Sequence, residues 1–123
     1  MKILVLQTAR LGDIYLTWPS IRALSKKYPG AEIHICVRES FQKACEGLQA
    51  VNRIWPIPVK AILSPLVQEG PDLELSESRI DEICCRLEEE NFDQILNLSF
   101  SPFSSYLVKR VKKESTLVRG YSR

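Results

Sequence analysis

The chain opens on Ile3-Leu-Val-Leu6, a short unbroken apolar run that gives way within a few residues to a helix-period pattern. That succession constrains the fold more than any other feature. A strand that is apolar at every position must be covered on both faces, and a parallel sheet with helices above and below provides the cover. The helical pattern places Ile14, Trp18, Ile21, Leu24 and Tyr28 close to one face and closes at Pro29-Gly30. Pro19 lies inside it, which predicts a kink or a restarted helix.

Glu32 to Val37 alternates, with Ile33, Ile35 and Val37 on one face, and reads as a second strand with His34 at a surface or edge position. A short helix follows around Phe41 to Gly47. Val51 to Ile57 is a weaker strand, and Pro56 and Pro58 imply that it runs at a sheet edge or leaves the sheet. Residues 60–75 have no clear period and carry Pro65, Gly70 and Pro71, so they read as a loop with at most a short helical turn. Ile80, Ile83, Cys84 and Leu87 then recur at helical spacing, with Ser78 and Asp81 as a weak capping box at the start. Ile95 to Leu98 is the next strand, Ser105 to Lys112 a helix and Thr116 to Arg119 a last strand. Such alternation implies right-handed crossovers and one α/β domain over residues 1–123.

Composition excludes several classes. The 17 basic and 15 acidic residues leave a net charge of +2, too balanced for nucleic-acid binding by electrostatics alone. The charges are unevenly placed: Glu77 to Asp93 is mostly acidic and Lys109 to Arg123 mostly basic, a pattern of contact surfaces or of differently decorated helix faces. Cys36, Cys45, Cys84 and Cys85 form no C-x-x-C pair, and with the single His34 they offer no metal-ligand pattern, so no metal site is expected. No stretch reaches the roughly 20 apolar residues of a membrane span, and the apolar run after Lys2 is too short for a signal peptide. A cytoplasmic protein with reduced thiols is the expectation. Trp18 and Trp55 read as core residues, and Cys84 falls on the apolar face of its helix.

Ligands of open α/β sheets bind at the carboxyl ends of the strands. Two loops occupy such positions here, Thr8-Ala-Arg-Leu-Gly-Asp13 and Ser99-Phe-Ser-Pro-Phe-Ser104. The first carries one glycine where a dinucleotide fingerprint needs three, and it lacks the Gly-Lys-Ser/Thr end of a P-loop. No tightly bound nicotinamide or flavin cofactor is therefore expected. Residue type and position give Asp13 a structural role, capping the following helix, and a chemical one, acting as a base. Arg10 suits a solvated loop cation, and Gly12 the permissive residue of a turn. Ser101 and Ser104 suit either the capping of the next helix or hydrogen bonds to sugar hydroxyls. Lys109, Arg110, Lys112 and Lys113 suit a solvated helix end or an anionic lipid surface.

The opening Met1-Lys-Ile-Leu-Val-Leu-Gln-Thr-Ala-Arg-Leu-Gly-Asp13, with Thr17 to Pro19, Ile21-Arg-Ala-Leu24 and Tyr28-Pro-Gly-Ala-Glu-Ile33, strongly resembles the start of bacterial heptosyltransferases, members of glycosyltransferase family 9. Asn91-Phe-Asp-Gln-Ile-Leu-Asn-Leu-Ser99, Ser104-Ser-Tyr-Leu107 and Arg119-Gly120 resemble the same N-terminal half, while Lys60 to Leu75 matches poorly. The resemblance implies a Rossmann-like three-layer α/β/α domain with a parallel sheet, one half of a GT-B glycosyltransferase. On this view residues 1–123 are the N-terminal, acceptor-side domain, and a C-terminal donor-binding domain is absent from the chain.

What the resemblance further implies is transfer of a heptose, with inversion, from an ADP-heptose donor to the lipopolysaccharide inner core. The family's general base falls on Asp13. Arg10 would meet anionic groups of the acceptor, with Gly12, Ser101, Ser104 and Lys60 as further acceptor contacts. The partners implied are the nucleotide-sugar donor, held mainly by the missing domain, and the lipopolysaccharide core acceptor, with peripheral association at the cytoplasmic face of the inner membrane. The fragment alone is expected to fold without turning over. Two rival readings follow from the same residues: a stand-alone Rossmann-like module that binds an anionic sugar or nucleotide without catalysis, and another nucleotide-sugar-dependent transferase of envelope polysaccharide synthesis.

Overall fold

The computed structural model describes residues 1–121; positions 122 and 123, the last two of the 1–123 domain and of the basic run, lie outside the described residues. Strand β1 (Lys2–Leu6) leads into helix α1 (Leu11–Lys27), and β2 (Glu32–Arg38) is followed by a 3-10 helix (Glu39–Cys45). Then come β3 (Arg53–Ile57), α2 (Val59–Val67), α3 (Leu73–Glu89), β4 (Gln94–Asn97), α4 (Pro102–Val111) and β5 (Leu117–Gly120). The strands form one five-stranded sheet in the order β3-β2-β1-β4-β5, and all four pairings are parallel. Chain order reverses between β1 and β4. At that switch point the helices leave β1 and β4 toward opposite faces, which opens a crevice above the strand ends.

Each face of the sheet is covered. Leu4, Leu6, Cys36 and Ile95 pack under α2, α3 and α4 through Ile62, Cys84, Leu87, Leu107, Val108 and Val111. On the other face Val5, Ile33, Ile35 and Val37 meet Ile14 and Ile21 of α1 and Ala44 and Cys45 of the 3-10 helix. These are the α/β/α layers of a Rossmann-like domain. Burial pushes the thiols up, Cys45 to about 11 and Cys36 and Cys84 also upward. Trp18 and Trp55 are half-buried beside these clusters.

Four expectations need correction. α1 does not restart at Pro19; it is continuous from Leu11 to Lys27, a helix long enough to keep its course without the one bond that Pro19 cannot donate to the Tyr15 carbonyl. His34 is not at the surface but 1% exposed. β2 is an interior strand, so the face opposite Ile33 and Ile35 is covered as well. There Trp55 Nε1 donates to His34 Nδ1 at 2.9 Å, and Phe92 packs edge-on at 5.1 Å. Residues 60–75 are not a loop: Val59–Val67 is a helix carrying Pro65, tied to the next helix by Ser76 Oγ, which donates to the Ile62 carbonyl at 2.8 Å. Finally α3 starts at Leu73, ahead of Ser78, because the Asp72 carboxylate accepts the Leu75 N–H at 3.0 Å and caps it.

The acidic and basic segments meet. Arg110 of α4 is ion-paired with Asp81 of α3 and also donates to Tyr106 Oη at 2.8 Å, while Lys113 donates to the Asn91 side chain. The Asp81 carboxylate holds the Arg110 guanidinium above its ordinary pKa. Half of the basic cluster at 109–113 thus joins two helices of the domain. No helix among the described residues is long and apolar enough to cross a membrane.

Candidate functional site

The crevice at the switch point is built on a buried polar network. Gln7, just past β1, is 4% exposed; its Nε2 donates to Thr17 Oγ1 at 3.1 Å, and Thr17 Oγ1 donates to the Asp13 carbonyl at 2.7 Å. Its Oε1 accepts the Ala9 N–H and the Ser99 hydroxyl, both at 3.2 Å. Ser99 in turn accepts the Thr8 N–H at 2.6 Å, and its own N–H goes to Asn97 Oδ1 at 3.1 Å. The loops after β1 and β4 are thereby tied to each other and to the first turn of α1. Residues 8–13 and 99–104 are held at the carboxyl end of the sheet with little freedom.

Arg10 is the N-cap of α1 in extended conformation, and Asp13 lies inside the helix at its third position. Asp13 Oδ2 accepts the Arg10 N–H at 3.2 Å, closing the first turn from within. Asp13 is therefore not the N-cap that its place before the amphipathic pattern suggests, because the helix begins two residues earlier, at Leu11. Its Oδ1 accepts no hydrogen bond among the described residues. Gly12 is also helical rather than part of a turn: its φ is not positive, and a Cβ there would meet nothing within 4 Å.

In the second loop Ser101 is the N-cap of α4 and accepts the Ser104 N–H at 3.1 Å. Ser104 is fully buried, and its hydroxyl sits 2.8 Å from the Ser99 carbonyl, to which it donates. Of the two roles that the sequence allows these serines, the structure displays capping at Ser101, while Ser104 lies inside the helix that Ser101 caps. Ser101 also reaches the crevice, and Ser104 does not.

The crevice is a pocket of about 510 Å³. Thr8, Ala9, Arg10 and Asp13 line it from the first loop, and Ser99, Phe100, Ser101 and Phe103 from the second. α2 and α3 contribute Val59, Ile62, Leu63, Leu66, Ser76 and Ile80, and Arg38 enters from the end of β2. Thus Asp13, Arg10 and Ser101 line one pocket, whereas Lys60 is exposed on α2 and is not among the lining residues.

Sequence reasoning missed Arg38 and the apolar wall. Arg38 Nε donates to the Thr8 carbonyl at 2.7 Å, which holds the guanidinium at the pocket. Its position at the carboxyl end of a strand was the available signal. The α2 part of the wall was hidden because Val59, Ile62, Leu63 and Leu66 belong to a helix with no clean period.

With the geometry in place, solved structures can be set beside it. At the level of sequence, no family model and no curated protein matches the chain. A glycosyl transferase family 9 structure from Veillonella parvula has a TM-score of 0.76 and 22% identity, over 94% of this chain and 30% of that one. E. coli heptosyltransferase WaaC with ADP-2-deoxy-2-fluoro heptose has a TM-score of 0.74 and 19% identity, over 96% of this chain and 35% of that one. E. coli ADP-heptose lps heptosyltransferase II has a TM-score of 0.70 and 19% identity, over 96% and 30% respectively. The likeness establishes the fold. The chain spans about a third of the length of these proteins.

The pocket is lined by the Asp13 carboxylate, whose Oδ1 accepts no hydrogen bond among the described residues, and by two arginines, Arg10 and Arg38, neither ion-paired among the described residues. A carboxylate so placed can take a proton from a hydroxyl that enters the pocket, and the guanidiniums can hold an anionic group nearby.

Proposed function

We propose that the chain is the acceptor-side domain of a GT-B glycosyltransferase of the heptosyltransferase type, with Asp13 as general base. The observation that carries this reading is the position of Asp13: it lines the pocket at the switch point with Oδ1 open, on a turn immobilised by its own Oδ2 bond and by the Gln7–Thr17 network. The acceptor hydroxyl would give its proton to Oδ1 while its oxygen attacks the anomeric carbon of the sugar, and the nucleoside diphosphate would leave from the opposite face. One displacement of this kind inverts the anomeric centre. The base need not be strongly basic in the ground state, because the hydroxyl proton becomes acidic only as the new bond forms. A fixed carboxylate also supplies orientation, which lowers the barrier further.

The donor would be ADP-heptose and the acceptor the lipopolysaccharide inner core, with Arg10 toward the anionic groups of the acceptor and Ser101 at its rim. E. coli WaaC was solved both with ADP and with ADP-2-deoxy-2-fluoro heptose, which supports a nucleotide-sugar donor for a protein of this fold. Binding of the donor and stabilisation of the departing diphosphate would fall to a second, donor-side domain, so residues 1–123 would not turn over alone. Lys109 and Lys112, the basic residues of α4 and its end without a partner among the described residues, suit a peripheral contact with the inner membrane.

The test is Asp13→Asn in the full-length enzyme. The rate of transfer should fall by about 10²–10⁴-fold, while circular dichroism and the thermal midpoint stay close to the parent. Undiminished transfer would remove Asp13 as the base.

A further inference from the structure

The pocket is poorly suited to a purely saccharide ligand. Val59, Ile62, Leu63, Leu66, Ile80 and Phe103 make a continuous hydrocarbon wall from α2 and α3 to the start of α4. The serines beside it are already occupied within the protein: Ser76 Oγ donates to the Ile62 carbonyl, Ser99 bridges Thr8 and Gln7, and Ser101 caps α4. Sugar hydroxyls pressed against such a wall would lose water without gaining partners, which is unfavourable for each group so buried. The charged groups, by contrast, are available. Arg38 is held by its Nε bond to the Thr8 carbonyl, so its terminal nitrogens remain for a ligand, and Arg10 stands on the same pocket. Against the single carboxylate of Asp13, the two guanidiniums leave the site cationic.

The wall does not end inside the pocket. Leu63 and Leu66 line it and are nevertheless 47% and 37% exposed, and Val67, next on α2, is 83% exposed. An apolar surface therefore runs from the arginines outward over α2.

We propose that this pocket takes an amphiphilic anion, with a phosphate or carboxylate on Arg38 and Arg10 and an attached hydrocarbon or aromatic group along the α2–α3 wall. The inference deepens the acceptor-side reading of the same site and rests on it for the placement of the reacting hydroxyl near Asp13: the acceptor carries an apolar group close to its anionic one. Arg38 fixes the anion and the α2 leucines select the apolar part.

Calorimetric titration of the 123-residue chain with octyl phosphate, kept below its micelle concentration, tests this against inorganic phosphate and octyl glucoside. Octyl phosphate should bind at least about tenfold more tightly than either control, since both ends of the ligand contribute. Arg38→Gln should remove about tenfold of that affinity, and so, to a smaller extent, should Arg10→Gln, whose parent side chain makes no hydrogen bond or ion pair among the described residues. Leu63→Ser, at an exposed position, should weaken octyl phosphate and leave inorganic phosphate unchanged. Amide NMR shifts should concentrate at Thr8, Ile62 and Ser99. Equal affinity for octyl phosphate and inorganic phosphate would overturn the apolar half, equal affinity for octyl phosphate and octyl glucoside would overturn the anionic half, and shifts away from the pocket would overturn both. The Asp13→Asn rate of the full-length enzyme is a separate readout, so either proposal can fail without the other.

Discussion

At Ser99 one hydroxyl serves the backbone of both loops that frame the pocket. It accepts the Thr8 N–H at 2.6 Å and donates to Gln7 Oε1 at 3.2 Å, in a position 2% exposed. In Ser99→Ala the Thr8 N–H loses its partner where water has little access, and the expected cost is about 1–3 kcal/mol, measured as a lower urea midpoint. Because the network also positions Asp13 through Gln7 and Thr17, transfer by the full-length enzyme should fall as well. Asp13 itself shows the limit of residue-level reasoning. Its type and its place at a strand-to-helix turn are legible in the sequence, but whether it caps from outside the helix or from within depends on where the helix starts. Gly120 is the opposite case: its φ is +94°, and a Cβ there would collide with the Asn97 backbone carbonyl, so the Arg-Gly pair that the sequence shows only as part of a resemblance marks a close approach of β5 to β4.

Among the elements, strands were the easier to anticipate. β1 is apolar from Ile3 to Leu6, β2 alternates and β4 carries Ile95 and Leu96 at its centre, and of the two readings that Pro56 and Pro58 allow, β3 takes the sheet edge. α2 and the first turns of α3 were missed because Leu63, Leu66, Val67, Leu73 and Leu75 are all exposed, and an apolar residue facing solvent blurs the 3.6-residue period. Pro65, moreover, argues against a helix in isolation. What holds the pair is a set of local bonds, the Asp72 cap and the contact between Ser76 and Ile62, together with packing on Leu87 and Cys84. Asp72→Ala should therefore lower stability by about 1 kcal/mol, with hydrogen-exchange protection lost first in the opening turn of α3; uniform loss across the sheet would show instead that the cap matters only globally.

On the scale of the whole molecule, the end of the sheet opposite the pocket is closed by ions. Glu90 at the end of α3 accepts from Lys2 Nζ at 2.8 Å and Arg53 Nη1 at 2.9 Å, joining α3 to β1 and β3. The Lys2 hydrogen bond holds the Glu90 carboxyl below its ordinary value of 4.5. A carboxylate with a lowered folded pKa adds stability at pH values above its unfolded pKa and loses it as pH falls through the folded one. Its partners are partly exposed, so the contribution at neutral pH should be about 1 kcal/mol at most. The stability gap between the parent and Glu90→Gln should accordingly persist at pH 7 and close on acidification below 4.5; a gap independent of pH would refute the ionic origin. The sequence by itself determined the α/β alternation, the parallel sheet and the loops that carry Asp13, Arg10 and Ser101, because apolar period and turn chemistry are local properties of the chain. Only the tertiary structure decided that His34 is interior, that Ser104 is buried, that Arg38 joins the site and that an apolar wall faces the carboxylate. Each of those depends on which strand lies beside which, and strand order is set by packing between residues far apart in the chain.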